Sequence, residues 1–135
     1  MPISTYAGVK ILNYVLGLTP AIAPPATYYV GLSTTAIAAD GTGITEPAGG
    51  DYARAAIAND KTDLSIASAV SSVNNAVAVS LTTSTGDWGT ITDIFISDAI
   101  TAGNMWYYKS LTTPIPVPSG TTVTFAIGSI VATLT

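Results

Sequence analysis

The chain is predicted to be all-β, an antiparallel β-sandwich or jelly-roll-like domain of about seven or eight strands with one short N-terminal α-helix. Three observations predict it. The composition is that of strands, with 21 threonines, 14 isoleucines and 10 valines among 135 residues. Turn-forming Gly, Pro, Asn and Asp cut this vocabulary into short runs after residue 25. Helical spacing occurs once, so the crossover helices that a parallel sheet requires are missing. The length suits a single globular unit, read as a helix and connector over residues 1–25 and a sandwich over 26–135.

The helix is expected over residues 4–16. Ser4 is placed to act as N-cap, and Tyr6, Val9, Ile11, Leu12, Val15 and Leu16 give it a broad apolar face. Gly17 suits the left-handed position after the last turn, Leu18 follows it, and Pro20 forbids continuation. That apolar face either lids an open end of the sandwich or packs against copies of itself. Strands are expected at 26–33, 52–58, 76–81, 90–97, 105–111, 121–127 and 129–134, with a weaker one near 64–69. Between them GTGITEPAGG, SSVNN, TSTGDWG, DAITAG and PIPVPSG read as turns. Alternation is clearest where Val77, Val79 and Leu81 interleave with Ala78 and Ser80. Pro114, Pro116 and Pro118 are expected to keep one sheet edge from pairing.

Composition excludes several kinds of protein. Only 9% of residues are charged, against about 25% in an average soluble domain, while 48% are hydrophobic. Disorder is excluded, because the chain has apolar surface in excess of what chain entropy demands. The net charge is −4 and the four bases, Lys10, Arg54, Lys61 and Lys109, are scattered. Nucleic acid is therefore not expected as a partner, since backbone binding needs a concentrated basic face. The uncharged stretches 11–39, 64–86 and 110–135 are broken by prolines or rich in Ser, Thr and Asn, so none reads as a membrane-spanning helix. The opening MPISTYAGVK has no basic n-region and is interrupted by Lys10, so it does not read as a secretory signal.

Catalytic and metal chemistry find little to work with. Cysteine and histidine are both absent, which removes thiolates, the commonest general base and the commonest transition-metal ligand. Asp93 and Asp98 flank a strand-like segment, but both read as strand-end or turn residues rather than as a glycosidase pair. Lys109 and Ser110 are neighbours in a strand and point to opposite faces, so they cannot form a dyad. Asp40 with Glu46, and Asp60 with Asp63, lack the acidic density of a calcium loop and read as solvated turns. No cofactor, metal or catalytic residue is assigned.

Aromatic side chains carry the interaction signal. Tyr28 with Tyr29, and Trp106 with Tyr107 and Tyr108, put rings on both faces of their strands if alternation holds. Together with Tyr6 and Tyr14 on the helix they are the candidate interface or stacking residues. Core or subunit interface is the preferred role, with sugar stacking on Trp106, Tyr108 or the Tyr28 pair as the competing one. A domain of this size buries only about two-thirds of its extended surface. So apolar a chain is expected to shelter the remainder against other molecules.

The stretches GTGITEPAGGDYARAAI, GDWGTITDIFISDAITAGNMWYYKSLTTPIPVPSG and TFAIGSI resemble a family of small tailed-bacteriophage virion structural proteins, described as tail-fibre-like or decoration proteins. The resemblance spans nearly the whole chain and rests on the order of its pieces. They are the early helix, YVGLSTTA, a Glu-Pro…Gly-Gly…Tyr-Ala-Arg segment, a Trp-Gly turn, an apolar strand ending in Asp-Ala, and Gly-Asn before an aromatic strand. Asp51 stands where the pattern has a third glycine, and Asp93 where histidine is frequent. The resemblance implies a non-enzymatic virion protein. From there the chain is expected to assemble in the host cytoplasm, to form a homotrimer and to contact other virion proteins such as the major capsid or tail protein. A compact chain without a heptad run or internal repeat suits a capsid decoration or cement protein better than a shaft. A short tail-fibre or tail-tip component, with or without carbohydrate binding, is the second expectation.

Overall fold

The computed structural model describes residues 1–18, 23–66 and 72–134. Helix α1 spans Thr5–Val15. Its start is built as the sequence suggests. Ser4 is extended, and its hydroxyl accepts a hydrogen bond from the Ala7 amide at 3.2 Å while donating to the Met105 carbonyl. Its end is a Schellman motif, in which Gly17 (φ 68°) donates to Tyr14 O and Leu18 donates to Asn13 O.

Nine strands follow among the described residues: β1 Thr27–Ser33, β2 Ala55–Ala58, β3 Leu64–Ile66, β4 Ser72–Asn75, β5 Val79–Ser80, β6 Thr90–Ser97, β7 Met105–Pro116, β8 Thr124–Phe125 and β9 Val131–Thr133. All pair antiparallel, in a four-stranded sheet ordered β2-β1-β6-β7, a three-stranded sheet β3-β4-β9 and a two-stranded sheet β5-β8. The all-β sandwich is what the composition predicted. Its inner layer joins Val30, Leu32, Ile57, Ile94 and Ile96 of the large sheet to Val79, Leu81, Val123, Phe125 and Ile130 opposite. A smaller cluster of Ile37, Phe95 and Met105 covers the other face of the large sheet.

Several expected boundaries move. The run expected from Tyr52 pairs only from Ala55, and those expected at 76–81 and 121–127 pair over two residues each, Val79–Ser80 and Thr124–Phe125. Alternation there marks which side chains are buried rather than how long the ladder is. SSVNN is not simply a turn, because Ser72–Asn75 forms β4. Asn75 is fully buried, donates to Val77 O and Ala126 O, and accepts from the Ile130 amide, so a turn-forming residue here knits strands together. Residues 67–71 and 19–22 of the expected weak strand, turn and connector lie outside the described residues.

Strand β7 runs on through Pro114 and Pro116 instead of ending at Leu111. It is the terminal strand of its sheet, where proline's missing N–H faces away from the partner. The other half of this edge is covered by the chain's own start: Ser4 N donates to Trp106 O and Tyr108 N to Pro2 O. The helix does not lid the sandwich. It is tethered to the edge by its first turn, and Ala7 is its one fully buried residue.

Candidate interaction surface

Strand β6 has register shifts between Ile91 and Asp93 and between Ile96 and Ser97. At the second shift Ile96 faces Tyr107 and Ser97 faces Met105, so Trp106 is an extra residue on β7. The bulge breaks the expected alternation. Met105 and Tyr108, three positions apart, both pack around Phe95, while Tyr107 packs on the inter-sheet core. Trp106 meets Tyr28 at 5.6 Å between ring centroids and Tyr6 at 5.8 Å, both edge-on.

This corner absorbs most of the aromatic candidates. Trp106 is 6% exposed and its indole N–H donates to Asp98 at 3.2 Å. A sugar cannot stack on it without displacing Tyr6 or Tyr28, so Trp106 is a packing residue rather than a platform. Tyr28 and Tyr107 are half-buried and line a cavity of about 170 Å³ between the sheets, with Ile57, Leu64, Val73 and Ile130. Burial, with the nearby Tyr107 and Asp98, pushes the Tyr28 hydroxyl up to about 12. Tyr29 is half-buried on β1, and Lys10 Nζ lies 5.6 Å over the Tyr6 ring. Tyr14 alone of the seven exposes more than half of itself.

A second constellation was not foreseen. Gly31 of β1 pairs with Phe95 of β6, and a Cβ on Gly31 would stand 2.3 Å from Phe95 Cζ. The missing side chain lets the ring lie flat across the strand. Arg54 covers that ring, with its guanidinium carbon 4.9 Å from the centroid. Arg54 is buried and makes four hydrogen bonds with its five N–H groups. Nε and Nη2 donate to the two carboxylate oxygens of Glu46 at 2.9 and 2.7 Å, and Nη1 donates to Ala99 O and Ala102 O at 2.7 and 2.8 Å. Tyr52 donates to Glu46 at 2.7 Å and stacks edge-on with Trp88, 5.2 Å away, whose indole N–H donates to Gly50 O.

The segments that carry the family resemblance thus form one clamp. Glu46, Gly50, Tyr52 and Arg54 bind the Trp-Gly turn on one side and the loop after β6 on the other. Asp51 fits the same logic. Its φ of 57° is the left-handed conformation that a glycine would adopt most easily, and Asp tolerates it. Thr82 and Thr85 donate to its carbonyl and carboxylate. A signal was present in the sequence: a lone arginine, eight residues from a glutamate, in a chain with few charges to pair.

The remaining acids are structural. Asp93 is not a strand-end residue as expected; it lies within β6, 1% exposed, and accepts from Ser110 at 2.7 Å. Asp98 closes its loop by accepting from the amide and side chain of Asn104. Asp40 and Asp60 accept from amides two residues on, as turn residues do. No group of three or more potential metal-ligating side chains occurs among the described residues.

The clamp has a pH signature. Burial alone would raise the Glu46 carboxyl, but hydrogen bonds from Arg54 and Tyr52 and the guanidinium charge outweigh it and leave its pKa below the ordinary 4.5. A carboxyl depressed in the folded state contributes stability above its unfolded pKa, and that contribution disappears as pH falls through the folded value. Urea midpoints are therefore expected to be flat down to about pH 4.5 and to fall below it. Glu46→Gln should lower the neutral plateau and flatten the acid limb; an unchanged acid limb would show that the pair is not coupled to folding.

The family model described as podophage GP4 fiber I protein gp80 matches residues 2–133. No curated protein matches the chain.

Proposed function

The chain belongs to the podophage fiber family that matches it from residue 2 to 133, and from that membership we propose that it is a non-enzymatic building block of a short tail fibre, associating with copies of itself and with tail proteins. Family membership is the observation that carries this reading. It favours the fibre over the capsid-decoration role, whose support is the chain's compactness and its lack of a repeated shaft. The side chains agree with a structural role. The carboxylates of Glu46, Asp93 and Asp98 are each engaged in hydrogen bonds within the fold, and the one buried side-chain atom without a partner among the described residues is the Thr92 hydroxyl. A threefold arrangement of copies is part of the proposal, as is assembly into the virion.

Gold-labelled antibody against the chain, imaged on intact particles, tests the position. Label at the tail is the expected result, and label distributed over the head would restore the decoration reading. In the second case, particles stripped of the protein should burst at a milder osmotic shock. A carbohydrate-binding role would fall to Tyr14, because Trp106 is enclosed; Tyr14→Ala, not Trp106→Ala, is the variant for a glycan array.

A further inference from the structure

We infer that the free face of α1 is the seam along which copies of this chain pack. The inference rests on the fibre reading only for the presence of those copies. Nine large hydrophobic side chains are exposed among the described residues, and six fall between residues 9 and 18: Val9, Leu12, Tyr14, Val15, Leu16 and Leu18, each 51–70% exposed. An isolated helix of 11 residues is marginal in water and takes its stability from a packed face. This one packs its first turn on the edge of the sheet, half-buries Ile11 and leaves Val9, Leu12, Val15 and Leu16 uncovered.

The spacing identifies what covers it. Thr5, Val9, Leu12 and Leu16 recur at intervals of four, three and four, the pattern that keeps one stripe facing a neighbouring helix. Flanking positions Gly8, Asn13 and Val15 carry no charge, and the helix's one ionic residue, Lys10, is drawn over the Tyr6 ring. No charge is present to select a complementary, different helix, whereas a stripe of Val and Leu matches itself. Gly8 adds a separate observation. A glycine inside a helix costs about 1 kcal/mol relative to alanine, yet apart from its chain neighbours and the helix's own backbone no described atom lies within 4 Å of where its Cβ would stand. Its own fold leaves room for a side chain there, and the bare position lets a second helix approach closely.

The area is sufficient but small. Val9, Leu12, Val15, Leu16 and Leu18 expose on the order of 500 Å² per copy, so two copies cover about 1,000 Å² together, the lower bound for a specific interface. Association is therefore expected to be reversible and concentration-dependent in the isolated chain.

Sedimentation velocity on the whole chain across a concentration series, with Leu12→Glu and Leu16→Glu beside it, tests the seam. Both side chains are exposed in the single chain, so the circular dichroism spectrum and the dilute-solution Tm should match the parent. The expected result is a self-associating parent whose dissociation constant rises at least tenfold in each variant. A parent that stays monomeric throughout, or an oligomer that both variants leave intact, would overturn the proposal. The intact-oligomer result leaves the fibre reading standing with a different contact surface, and gold label on the head together with dissociated variants leaves the seam standing without the fibre.

Discussion

Arg54→Ala is expected to lower the unfolding free energy by about 3 kcal/mol, and the apparent Tm by roughly 10 °C. The substitution removes donors from three acceptors at once, of which the Ala102 carbonyl keeps only the Ser97 hydroxyl at 3.3 Å. Glu46 keeps a half-buried carboxylate with only Tyr52 to donate to it, and the carbonyls of Ala99 and Ala102 lose their shared donor. The Phe95 ring loses its cover. Truncating one partner of a buried ion pair costs more than the pair contributes, because the remaining charge is desolvated without compensation. Glu46 retains some contact with water, which places the figure at the lower end of that range. Arg54→Lys keeps the charge but not the planar fork that reaches Glu46 and the two carbonyls together, so it should recover less than half of the loss. Urea unfolding of the three proteins measures this, and a loss below about 1 kcal/mol for Arg54→Ala would mean the clamp is not a source of stability.

Gly31→Val should be at least as damaging, although strand propensity predicts the opposite sign. In a strand, valine is favoured over glycine by about 1 kcal/mol. Here the first atom of any side chain would stand 2.3 to 2.8 Å from three atoms of the Phe95 ring. The ring cannot simply turn aside, since Arg54 lies over it and Ile37 and Met105 pack around it. Overpacking of this kind costs about 1–3 kcal/mol and more where the neighbours cannot yield. The smaller Gly31→Ala, combined with Phe95→Leu, supplies the control. If the clash is the cause, Gly31→Ala will be much less harmful in the Phe95→Leu background than alone, and a double-mutant cycle will return a coupling energy above about 1 kcal/mol. Additive losses would refute the explanation.

What the sequence disclosed depends on how local the physics is. The Ser4 cap and the Gly17 stop were legible because each satisfies backbone groups within four residues of itself. Strand β6 was bounded correctly at Thr90 and Ser97, where a β-branched apolar run meets turn residues on both sides. Strand β7 was cut short because proline was read as a terminator, and whether proline ends a strand depends on whether a neighbour lies beyond it, which is a property of the sheet. Which face each aromatic ring of β7 takes was hidden for a related reason. One extra residue at Trp106 reverses the sidedness of everything after it, and no composition signals a bulge. The Glu46–Arg54 clamp spans contacts to Ala99 and Ala102, 45 and 48 residues from Arg54. Its members were visible in the Glu-Pro…Gly-Gly…Tyr-Ala-Arg segment, but their purpose was not.

The covered rim of β7 has a further consequence for how many copies can join. A bare strand would recruit another strand, which would present a bare strand in turn, and growth by that route has no natural end. Here one end of the rim, at Trp106–Tyr108, is occupied by the chain's first residues, and the other end carries Pro114 and Pro116, which have no hydrogen to give. Extension of the four-stranded sheet from this rim is thereby hindered, whereas helices gathered about an axis use up their contacts and stop at a fixed number. The molecule can be crowded with its own kind and still form an object of finite size.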